Sequence, residues 1–583
     1  MIKLSISSTT RYLYTTLLVL SLSSKARPAE LFNNGQTTYD IVLSTHASPS
    51  EKTSAEELKD ILYKICGATF SISTTTQKKP HHIFIGYSDH VRNATNDIEL
   101  AHHDESFTYR TIGENLYIYG GRQRGTMYGV YAFLEQQLGV HWYTANYTHI
   151  PKLETWQLPT PLYRHESPAI TRRQVYYHDC SDPAWKAHNM ENTGYYVNED
   201  NKYGGGQPAI WGNHTMHKLL PPKKYFKSHP EYYSLNKGKR TANGQLCLSN
   251  KNVLHEVTNN LSDTIRRHPR YWAYCIGQND NALACECNRC KQIESQYGGK
   301  SGILIWFINQ IADQVKQEYP EKLIATFAYQ YTQKPPKNIK PRDNVIIRLS
   351  TIANCFCHPI EQCPENTTFQ NDCIEWSTIT QNILIWDYTT GFFQFLAPFP
   401  DFDAMAPNIR FFARHRVLGI LEEGQYLSPG GEFGELKPWL LSKLLWNPNQ
   451  DVDSLAHLFI HDYYGKANQD ILEYYKLCKS IVRHDSHVKF RYNQDHPILT
   501  DTFIKKAKKI LNRAEAQAQA DTTLMHRVQR VSAQIAWLQV ARNKPQSIAD
   551  GSYKRLIDYL KHQKTHVNET TSSQQYLQRQ GPT

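Results

Sequence analysis

The chain has 583 residues, of which 40% are hydrophobic and 20% are charged, and its formal net charge is +11. This composition excludes an intrinsically disordered protein and is typical of a globular chain of about three domains. The positive charge would favour anionic partners such as acidic glycans or polyanionic surfaces, with an ordinary solvated basic surface as the alternative. Since no basic motif is interleaved with aromatic residues, a nucleic-acid partner is not expected.

The N-terminus has the layout of a secretory signal peptide. Lys3 and Arg11 accompany the apolar stretch YLYTTLLVLSL, and small residues follow around SSKARPAE. Cleavage is expected near Ala26 or Ala29, which makes residues 1–26 the signal peptide, with an uncleaved anchor as the alternative. The protein is therefore predicted to be exported to the periplasm, the cell surface or the medium. No later segment reaches the roughly 20 apolar residues of a membrane span, so an integral membrane protein is not expected.

Residues 30–148 alternate between strand and helix patterns and predict a small α/β domain. YDIVLST, HHIFIGY and NLYIYGG have the character of strands, and GTMYGVYAFLEQQLGV has that of a helix. A further helix is predicted over residues 54–66, because Ser54 and Glu57 match a capping box and a glycine follows. Residues 149–168 contain several prolines and are predicted to be a linker.

Residues 169–450 contain eight short apolar runs that predict a (β/α)8 barrel. The runs are RRQVYY, AIWGNHT, GQLCLS, YWAYCIGQ, KLIATFAY, NVIIRLS, NILIWD and RVLGILE. Such continuous runs suit parallel strands that are covered on both faces, and several connections have helical patterns. The link QYTQKPPKNIKPRDN is too rich in proline for a normal helix, so one crossover is expected to be irregular.

Residues 451–575 are predicted to form an α-helical bundle, because five consecutive segments have helical periodicity. The polar end of the chain, NETTSSQQYLQRQGPT, is expected to be loose. The predicted fold class is therefore α/β, with a TIM-like barrel between a small N-terminal α/β domain and a C-terminal helical bundle.

Polar and aromatic residues stand at the C-terminal ends of the predicted strands, where barrels of this kind carry their chemistry. In chain order the polar residues there are His178, Asp179, His214, Asn279, Asp280, Tyr329, Gln330, Asp387, Glu422 and Glu423, and the flanking aromatic residues are Trp386, Tyr388, Phe392, Phe393 and Tyr426. Carboxylates thus close the fourth, seventh and eighth strands and can converge on one pocket. Cleavage of a glycosidic bond commonly requires two carboxylates, and aromatic rings stack against sugar faces, so the pattern indicates a glycosidase-like site.

Each of these residues also has a non-catalytic interpretation. An Asn-Asp pair after a strand is commonly a turn or a helix cap, so Asn279 and Asp280 can serve together only where the backbone turns, as QNDN favours. Asp387 also fits a buried ion pair with an arginine, and the two glutamates fit one inward ligand and one solvated neighbour. Of the two glutamates we take Glu422 as the inward residue and Glu423 as its neighbour.

The 12 cysteines include two close groups. Cys285, Cys287 and Cys290 offer three soft ligands, which suit part of a zinc site but have no evident fourth ligand, and a disulfide between two of them is an equal alternative. A second group follows the sixth strand and poses the same choice; its members are Cys355, Cys357, Cys363 and Cys373, with His358. We interpret any metal in either group as structural.

Several long stretches resemble the bacterial DUF4838 domain family, which is linked to glycoside hydrolase family 163. They include GQNDNALACECNRC, CFCHPIEQC, IWDYTTGFFQFLAPFPDFDAMAPNIRFFA and SPGGEFGELKPWLLSKLLWNP, and they run collinearly between about residues 210 and 465. GGRQRGTMYGVYAFLEQQLGVHWY is similar to the non-catalytic domain that precedes the barrel in α-glucuronidases and β-hexosaminidases. The resemblance implies an endo-β-N-acetylglucosaminidase that releases complex N-glycans by cutting within the chitobiose core. No organic cofactor is implied.

The resemblance also implies roles for individual residues. In related acetamido-sugar hydrolases the catalytic pair closes the fourth strand, which maps onto Asn279 and Asp280, although an Asp-Glu or Asp-Asp pair is commoner there. LEEGQY resembles the family's eighth-strand block, in which the position of Glu422 is acidic and that of Glu423 is often Gln. Asp280 is therefore expected to be the general acid, with its pKa raised by a partly buried pocket and by Glu422, while Asn279 orients the acetamido group. Asp387 and Glu422 are expected to bind substrate or stabilise positive charge. The remaining expected substrate-binding residues are His214, Tyr329, Trp386, Tyr388, Glu423 and Tyr426.

Two other functions are compatible with the sequence. An α-glucuronidase-like hydrolase of acidic sugars would suit the basic charge, and it predicts Arg and Lys residues along the pocket. A carbohydrate-binding protein whose barrel has lost its chemistry would bind a glycan without releasing a product. In every case the expected partner is a glycan or a glycoprotein.

Overall fold

The computed structural model describes residues 29–76, 78–193, 201–206 and 209–580. The predicted signal peptide lies outside these residues. Within the described ranges, no helix combines the length and the apolar character needed to cross a membrane.

The N-terminal part of the chain is a layered α/β unit. Its strands are β1 (Glu30–Asn33), β2 (Tyr39–Leu43), β3 (Ile72–Ser73), β4 (His81–Ile85), β5 (Phe107–Ile112), β6 (Asn115–Gly120), β7 (His141–Thr144), β8 (Tyr147–His149), β9 (Thr155–Gln157) and β10 (Tyr163–Glu166). Its helices are α1 (Pro49–Cys66), α2 (Asp89–Thr95) and α3 (Gly125–Leu138). Six of the strands form one sheet in the order β10-β5-β6-β4-β2-β3, and the apolar core joins that sheet to α1 and α3.

Helix α1 begins earlier than predicted. Ser48 is its N-cap and forms a reciprocal capping box with Glu51, so Ser54 and Glu57 lie inside the helix. The stretches 48–51 and 54–57 both match the capping pattern, but only the first has a proline after its serine. Pro49 suits the first helical position, because a backbone N–H there would have no partner within the helix. The helix ends as predicted at the following glycine, whose φ of 76° lies in the left-handed region.

The central part of the chain is a parallel sheet surrounded by helices. Its strands are β11 (Arg172–Tyr176), β12 (Ile210–Trp211), β13 (Leu235–Asn236), β14 (Lys239–Arg240), β15 (Ala273–Cys275), β16 (Leu323–Ala328), β17 (Val345–Ser350), β18 (Ile383–Tyr388) and β19 (Gly419–Glu423). Its helices are α4 (Pro183–His188), α5 (Met216–Leu219), α6 (Pro222–Tyr225), α7 (Lys251–Arg267), α8 (Asn288–Tyr297), α9 (Lys300–Glu318), α10 (Thr367–Ile379), α11 (Phe402–Arg414) and α12 (Leu436–Trp446). Seven of these nine strands, all except β13 and β14, form the parallel sheet, in the order β11-β19-β18-β17-β16-β15-β12. The proline-rich link between β16 and β17, all of which the structure describes, contains no α-helix, as predicted.

The seven-stranded sheet is curled into a half-barrel. Its two edge strands, β11 and β12, line the same interior cavity of about 60 Å³, although five strands separate them in the sheet. Arg348 on β17 crosses this interior and donates to the side chain of Asn213, just past β12, at 2.7 Å. Seven of the eight predicted strands are therefore present, and among the described residues no ladder joins β11 to β12 to close a full barrel.

The run GQLCLS, predicted as the third barrel strand, is a loop. Its only bridge joins Leu246 to Tyr233. Gln245 is bonded instead to the turn that follows β15: its side-chain oxygen accepts from the Asn279 amide at 2.9 Å, and its side-chain nitrogen donates to the Asn279 carbonyl at 2.8 Å. A short apolar run is compatible with a buried strand and with a buried loop, because its side chains are shielded from water in both. The run alone therefore does not identify a strand.

The C-terminal part of the chain is mainly helical. Its elements are α13 (Val452–Tyr464), α14 (Asn468–Ser480), α15 (Asp501–Ala518), α16 (Thr522–Arg542), α17 (Lys544–Ala549), α18 (Ser552–His562), β20 (His566–Asn568), β21 (Thr571–Ser572) and α19 (Ser573–Arg579). The end of the chain was expected to be loose, but its described residues form β20, β21 and α19. The β20–β21 hairpin is held by backbone bonds from Phe395 to Val567 at 2.9 Å and from Glu569 to Phe392 at 3.1 Å.

Candidate active site

A pocket of about 1080 Å³ opens at the C-terminal ends of the central strands. Seven of the ten predicted site residues other than cysteines line it: His214, Asp280, Tyr329, Trp386, Tyr388, Glu423 and Tyr426. The other three, Asn279, Asp387 and Glu422, do not. In a curled parallel sheet all the strands end at the same rim, which is where barrels of this kind carry their catalytic residues. The pocket lies at this rim.

Glu423 ends β19 with its side chain in the pocket. Its Oε2 accepts a hydrogen bond from the Trp386 indole at 2.6 Å, and the residue is buried. Burial raises the pKa of Glu423 to about 8; the Trp386 N–H lowers this pKa, the Glu569 carboxylate raises it and Arg348 lowers it. Glu423 therefore carries a proton at neutral pH.

Glu422 and Asp387, both expected in the pocket, point away from it. They are register partners on β19 and β18, and both are buried on the sheet face that packs against the helices. Because side chains alternate along a strand, Trp386 and Tyr388 face the pocket while Asp387 between them does not. The same alternation makes Glu423 the inward glutamate, so the expected choice of Glu422 is reversed.

The two outward carboxyls form a buried acidic pair. Asp387 Oδ1 accepts from the Thr351 hydroxyl at 2.6 Å and from the Tyr388 amide at 2.9 Å. Burial raises the pKa of Asp387 to about 6, although these two donors lower it and Asp401 raises it. Burial, Asp387 and Asp401 together raise the pKa of Glu422 well above its ordinary value. Glu422 is thus a carboxyl buried inside the protein, where its raised pKa favours the protonated form, and it has no access to the pocket.

Asp280 is exposed at the pocket wall, in the loop that follows β15. Its Oδ1 accepts a hydrogen bond from the Tyr329 hydroxyl at 2.7 Å. The side-chain amide of Gln330 donates to that hydroxyl oxygen at 2.8 Å. Gln330 has a φ of 52°, a left-handed conformation that costs energy for a residue other than glycine and is often found at functional sites. The two hydrogen bonds in series fix the direction in which Asp280 faces.

Asn279 and His214 differ in their access to the pocket. The Asn279 side chain is buried and donates to the Gly244 carbonyl at 3.0 Å, so the structure does not offer it to an acetamido group as expected. The backbone turns after Asn279, which is why its neighbour faces the pocket and it does not. His214 lines the pocket, its ring 5.1 Å from that of Phe327 and its Nδ1 2.5 Å from the Gln278 carbonyl oxygen.

Aromatic rings cover much of the pocket wall. Tyr176 and Tyr426 are stacked, with centroids 4.7 Å apart and planes 13° apart. Phe393 is 52% exposed, which is unusual for a phenylalanine in a packed protein, and it meets Phe490 edge to face at 6.0 Å. Such rings offer flat apolar surfaces to a ligand that has both apolar faces and hydroxyl groups.

Several pocket residues were not predicted, because they come from the C-terminal part of the chain. Glu569 lies in the turn between β20 and β21, and its pKa is raised by burial and then by Asp280. Lys489 and Arg491 line the wall beside the aromatic rings, and Lys489 is paired with Glu365 at 3.1 Å. No local pattern distinguishes these residues from an ordinary polar surface, so only the tertiary fold could have revealed them.

Two groups of cysteines lie close together, but their sulfur atoms are not bonded to one another. None of the 12, all of which the structure describes, forms a disulfide. Cys285, Cys287 and Cys290 are joined by Cys247, which the sequence did not suggest. The second group consists of Cys355, His358, Cys363 and His487, so His487 joins it and two expected members do not: Cys373 lies within α10, and Cys357 lies beside the group with its sulfur 3.5 Å from that of Cys355.

The arrangement presents a proton donor and a second carboxyl group to the same pocket. Glu423 holds a proton at the end of β19, and Asp280 presents a carboxyl group from the loop after β15. Carboxyl groups in contrasting environments, one buried and one exposed, are typical of acid and base partners in catalysis.

Comparisons with known proteins follow the two parts of the chain. The model of the family described as a domain of unknown function, DUF4838, matches residues 142–476. The model of the glycosyl hydrolase family 67 N-terminus matches residues 29–133. No curated protein matches the chain in sequence.

Among solved structures, a family GH115 4-O-methyl-α-glucuronidase with specificity for decorated arabinogalactans is similar in fold. It shares 12% sequence identity and a TM-score of 0.59, with 91% of this chain and 76% of that chain covered. A family 89 glycoside hydrolase from Clostridium perfringens, in complex with PUGNAc, shares 11% identity and a TM-score of 0.51, with 88% of this chain and 65% of that chain covered. At such identities the likeness concerns the fold.

Proposed function

The chain belongs to the DUF4838 family, and from this membership and the acidic, aromatic pocket we propose that it is a glycoside hydrolase. The observation that carries the proposal is the pairing of Glu423, protonated at neutral pH, with Asp280 in one pocket lined by aromatic rings. Cleavage of a glycosidic bond needs a proton for the departing oxygen and a second group that supports the positive charge at the anomeric carbon. Both requirements are met by side chains that reach the same cavity.

The proposed substrate class is a glycan that contains N-acetylglucosamine, as the resemblance to endo-β-N-acetylglucosaminidases implies. In this mechanism the proton of Glu423 passes to the departing glycosidic oxygen, while the acetamido carbonyl of the substrate forms a bond to the anomeric carbon. Asp280 accepts the acetamido N–H, which makes the carbonyl more nucleophilic, and Tyr329 holds Asp280 in place. Water then opens the cyclic intermediate, and its proton returns to the Glu423 carboxylate. The acid expected at Asp280 is thus reassigned to Glu423, because burial raises the pKa of Glu423 to about 8.

A second candidate is the hydrolysis of acidic sugars. Lys489 and Arg491 lie on the pocket wall, as that alternative predicts, and the formal charge of +11 favours an anionic substrate. Because Lys489 is paired with Glu365, it is less available to bind a uronic carboxylate. Arg491 is therefore the main cation for that group. Export to the periplasm, the cell surface or the medium is part of the same proposal, since such glycans are extracellular.

Product analysis separates the candidates. The protein is incubated with a glycoprotein that carries sialylated complex N-glycans, with one that carries high-mannose N-glycans and with a glucuronoxylan, and the products are identified by mass spectrometry. The first candidate predicts complex glycans released with one N-acetylglucosamine at the reducing end and another left on the protein. Release of uronic acid from the xylan would select the second candidate. Binding of glycan without any product would reject a hydrolase.

A further inference from the structure

Two clusters of cysteine and histidine side chains lie in loops that adjoin the pocket. The first, the four-cysteine cluster, consists of Cys247, Cys285, Cys287 and Cys290; the second, the Cys-His cluster, consists of Cys355, His358, Cys363 and His487. Within each cluster all four candidate ligand atoms lie within 4.8 Å of one another. Four soft ligand atoms at such distances are the donor set of a structural zinc site.

The sulfur spacings of the four-cysteine cluster fit a metal and exclude a disulfide. The Cys247 sulfur lies 3.7 Å from that of Cys287 and 3.8 Å from that of Cys290. A disulfide holds its sulfurs at about 2.05 Å. Zinc binds thiolate sulfur at about 2.3 Å in a tetrahedron, whose edge is then about 3.8 Å. The observed separations therefore match the edge of a zinc tetrathiolate.

Groups around the four-cysteine cluster are suited to thiolate ligands. The Leu235 amide donates to the Cys285 sulfur at 3.4 Å, and the Arg240 guanidinium lies 3.8 Å from the same sulfur. The Ser249 hydroxyl oxygen is 3.1 Å from the Cys290 sulfur. Such N–H and O–H groups offset the negative charge that four thiolates leave on a bound zinc ion, as the surroundings of metal ligands commonly do.

The Cys-His cluster shows the same features with nitrogen ligands. His358 Nδ1 lies 3.4 Å from the Cys355 sulfur, and His487 Nδ1 lies 3.6 Å from the Cys363 sulfur. With zinc bound to nitrogen at about 2.0–2.1 Å and to sulfur at about 2.3 Å, the tetrahedral N···S edge is about 3.6 Å. The other ring nitrogen of His358 lies 3.1 Å from the Arg483 carbonyl oxygen, the second contact that orients most metal-binding histidines.

We propose that the chain binds two zinc ions, one at each cluster, and that each ion fixes a loop of the pocket wall. The four-cysteine cluster joins the loop before α7 and the first turn of α8 to the loop that carries Asp280. The Cys-His cluster joins the loop after β17 to the segment between α14 and α15, in which Phe490 and Arg491 line the pocket. The proposal rests on ligand geometry alone and does not depend on the substrate of the pocket.

The metal content of the full chain tests this inference. Protein purified from zinc-supplemented medium should contain about two zinc ions per chain by elemental analysis. Cys247→Ser and His487→Ala should each lower the content to about one, because each removes one ligand from a different cluster. Cys66→Ser is the matched control, since Cys66 belongs to neither cluster, and it should keep both ions. Iron in place of zinc, or no metal after reconstitution, would overturn the proposal.

X-ray absorption at the zinc edge adds a measurement that needs no variant to fold. The wild-type protein should show on average about three sulfur neighbours and one nitrogen neighbour per zinc, which is the mean of the two sites. Mass spectrometry of the intact chain should give the mass expected with every cysteine reduced, without the loss of hydrogen that disulfide formation causes. A chain that contains disulfides among the six cysteine ligands and no zinc would contradict the proposal whatever the variants do.

Discussion

Glu422 and Glu423 are the same residue type at adjacent positions, yet they occupy opposite environments. Glu423 faces the pocket beside Trp386, and Glu422 faces Asp387 in the layer packed against the helices. Successive side chains of a strand point to opposite faces. A shift of one residue in the strand register would therefore exchange the inward and the outward glutamate. The sequence could predict an acidic residue at the end of the eighth predicted strand, but an LEEGQY stretch contains no signal that fixes this register.

The neighbours of Glu423 should shift its pKa in opposite directions. Trp386→Phe removes a donor that favours the ionised form, so the pKa of Glu423 should rise; Glu569→Gln removes a like charge, so it should fall. With Glu423 as the acid, kcat/KM declines with rising pH as the proton is lost near pH 8. This alkaline limb should move to higher pH in the first variant and to lower pH in the second.

The measurement is the pH profile of kcat/KM for both variants and the wild type. Tyr426→Phe serves as a control, because it keeps an aromatic ring in the pocket wall and is absent from the groups that shift Glu423. Its alkaline limb should stay within about 0.3 pH units of the wild type. Shifts of the same sign in the Trp386 and Glu569 variants would contradict the assignment of the proton to Glu423.

Glu422→Gln should stabilise the protein more as the pH rises. The folded-state pKa of Glu422 lies above its unfolded value, so wild-type stability is favoured below the unfolded pKa and declines as the pH rises toward the folded pKa. Glutamine keeps the shape and cannot ionise. The difference in Tm, variant minus wild type, should therefore be larger at about pH 8 than at about pH 5, by at least about 2 °C. Thermal unfolding followed by circular dichroism at both pH values measures it, and a difference that shrinks with pH would show that Glu422 is not held protonated.

At the scale of elements, the strands were the most predictable part of the fold. Seven of eight apolar runs became parallel strands, because continuous burial on both faces leaves a clear apolar signature. The failures were segments whose burial serves other contacts. GQLCLS forms a loop around Gln245 and Cys247, and the β20–β21 hairpin of the polar chain end is bonded through its backbone to Phe392 and Phe395 in the loop after β18.

The end of β15 approaches the loop after β12 so closely that only glycine fits. A Cβ added to Gly277 would lie 2.1 Å from the Asn213 carbonyl oxygen and 2.7 Å from the Phe327 ring. Gly277→Ala should therefore push apart two segments of the pocket wall, lowering Tm and reducing turnover by at least about tenfold. Gly391→Ala is the matched control, because its nearest neighbours would be at an ordinary 3.6 Å, and it should leave both quantities near wild type. Equal Tm and turnover in the two variants would contradict the observed packing.

At the scale of the whole molecule, the pocket is assembled from parts of the chain that lie far apart. The strand ends supply Asp280 and Glu423, and the C-terminal part supplies Glu569, Phe490 and Arg491. The sequence could predict the strand-end part, because topology alone brings parallel strand ends to one rim. The C-terminal contribution depends on how one region packs on another, and neither periodicity nor spacing within a region determines that packing.

The most direct measurement compares turnover in three variants on whichever substrate the wild type cleaves. With Glu423 as acid and Asp280 as its partner, Glu423→Gln and Asp280→Asn should each reduce kcat by about 10² to 10⁴ fold with a modest change in KM. Glu422→Gln, one residue away but outside the pocket, should stay within about threefold of wild type. Wild-type turnover in Glu423→Gln, or an equal loss in a folded Glu422→Gln variant, would contradict the account.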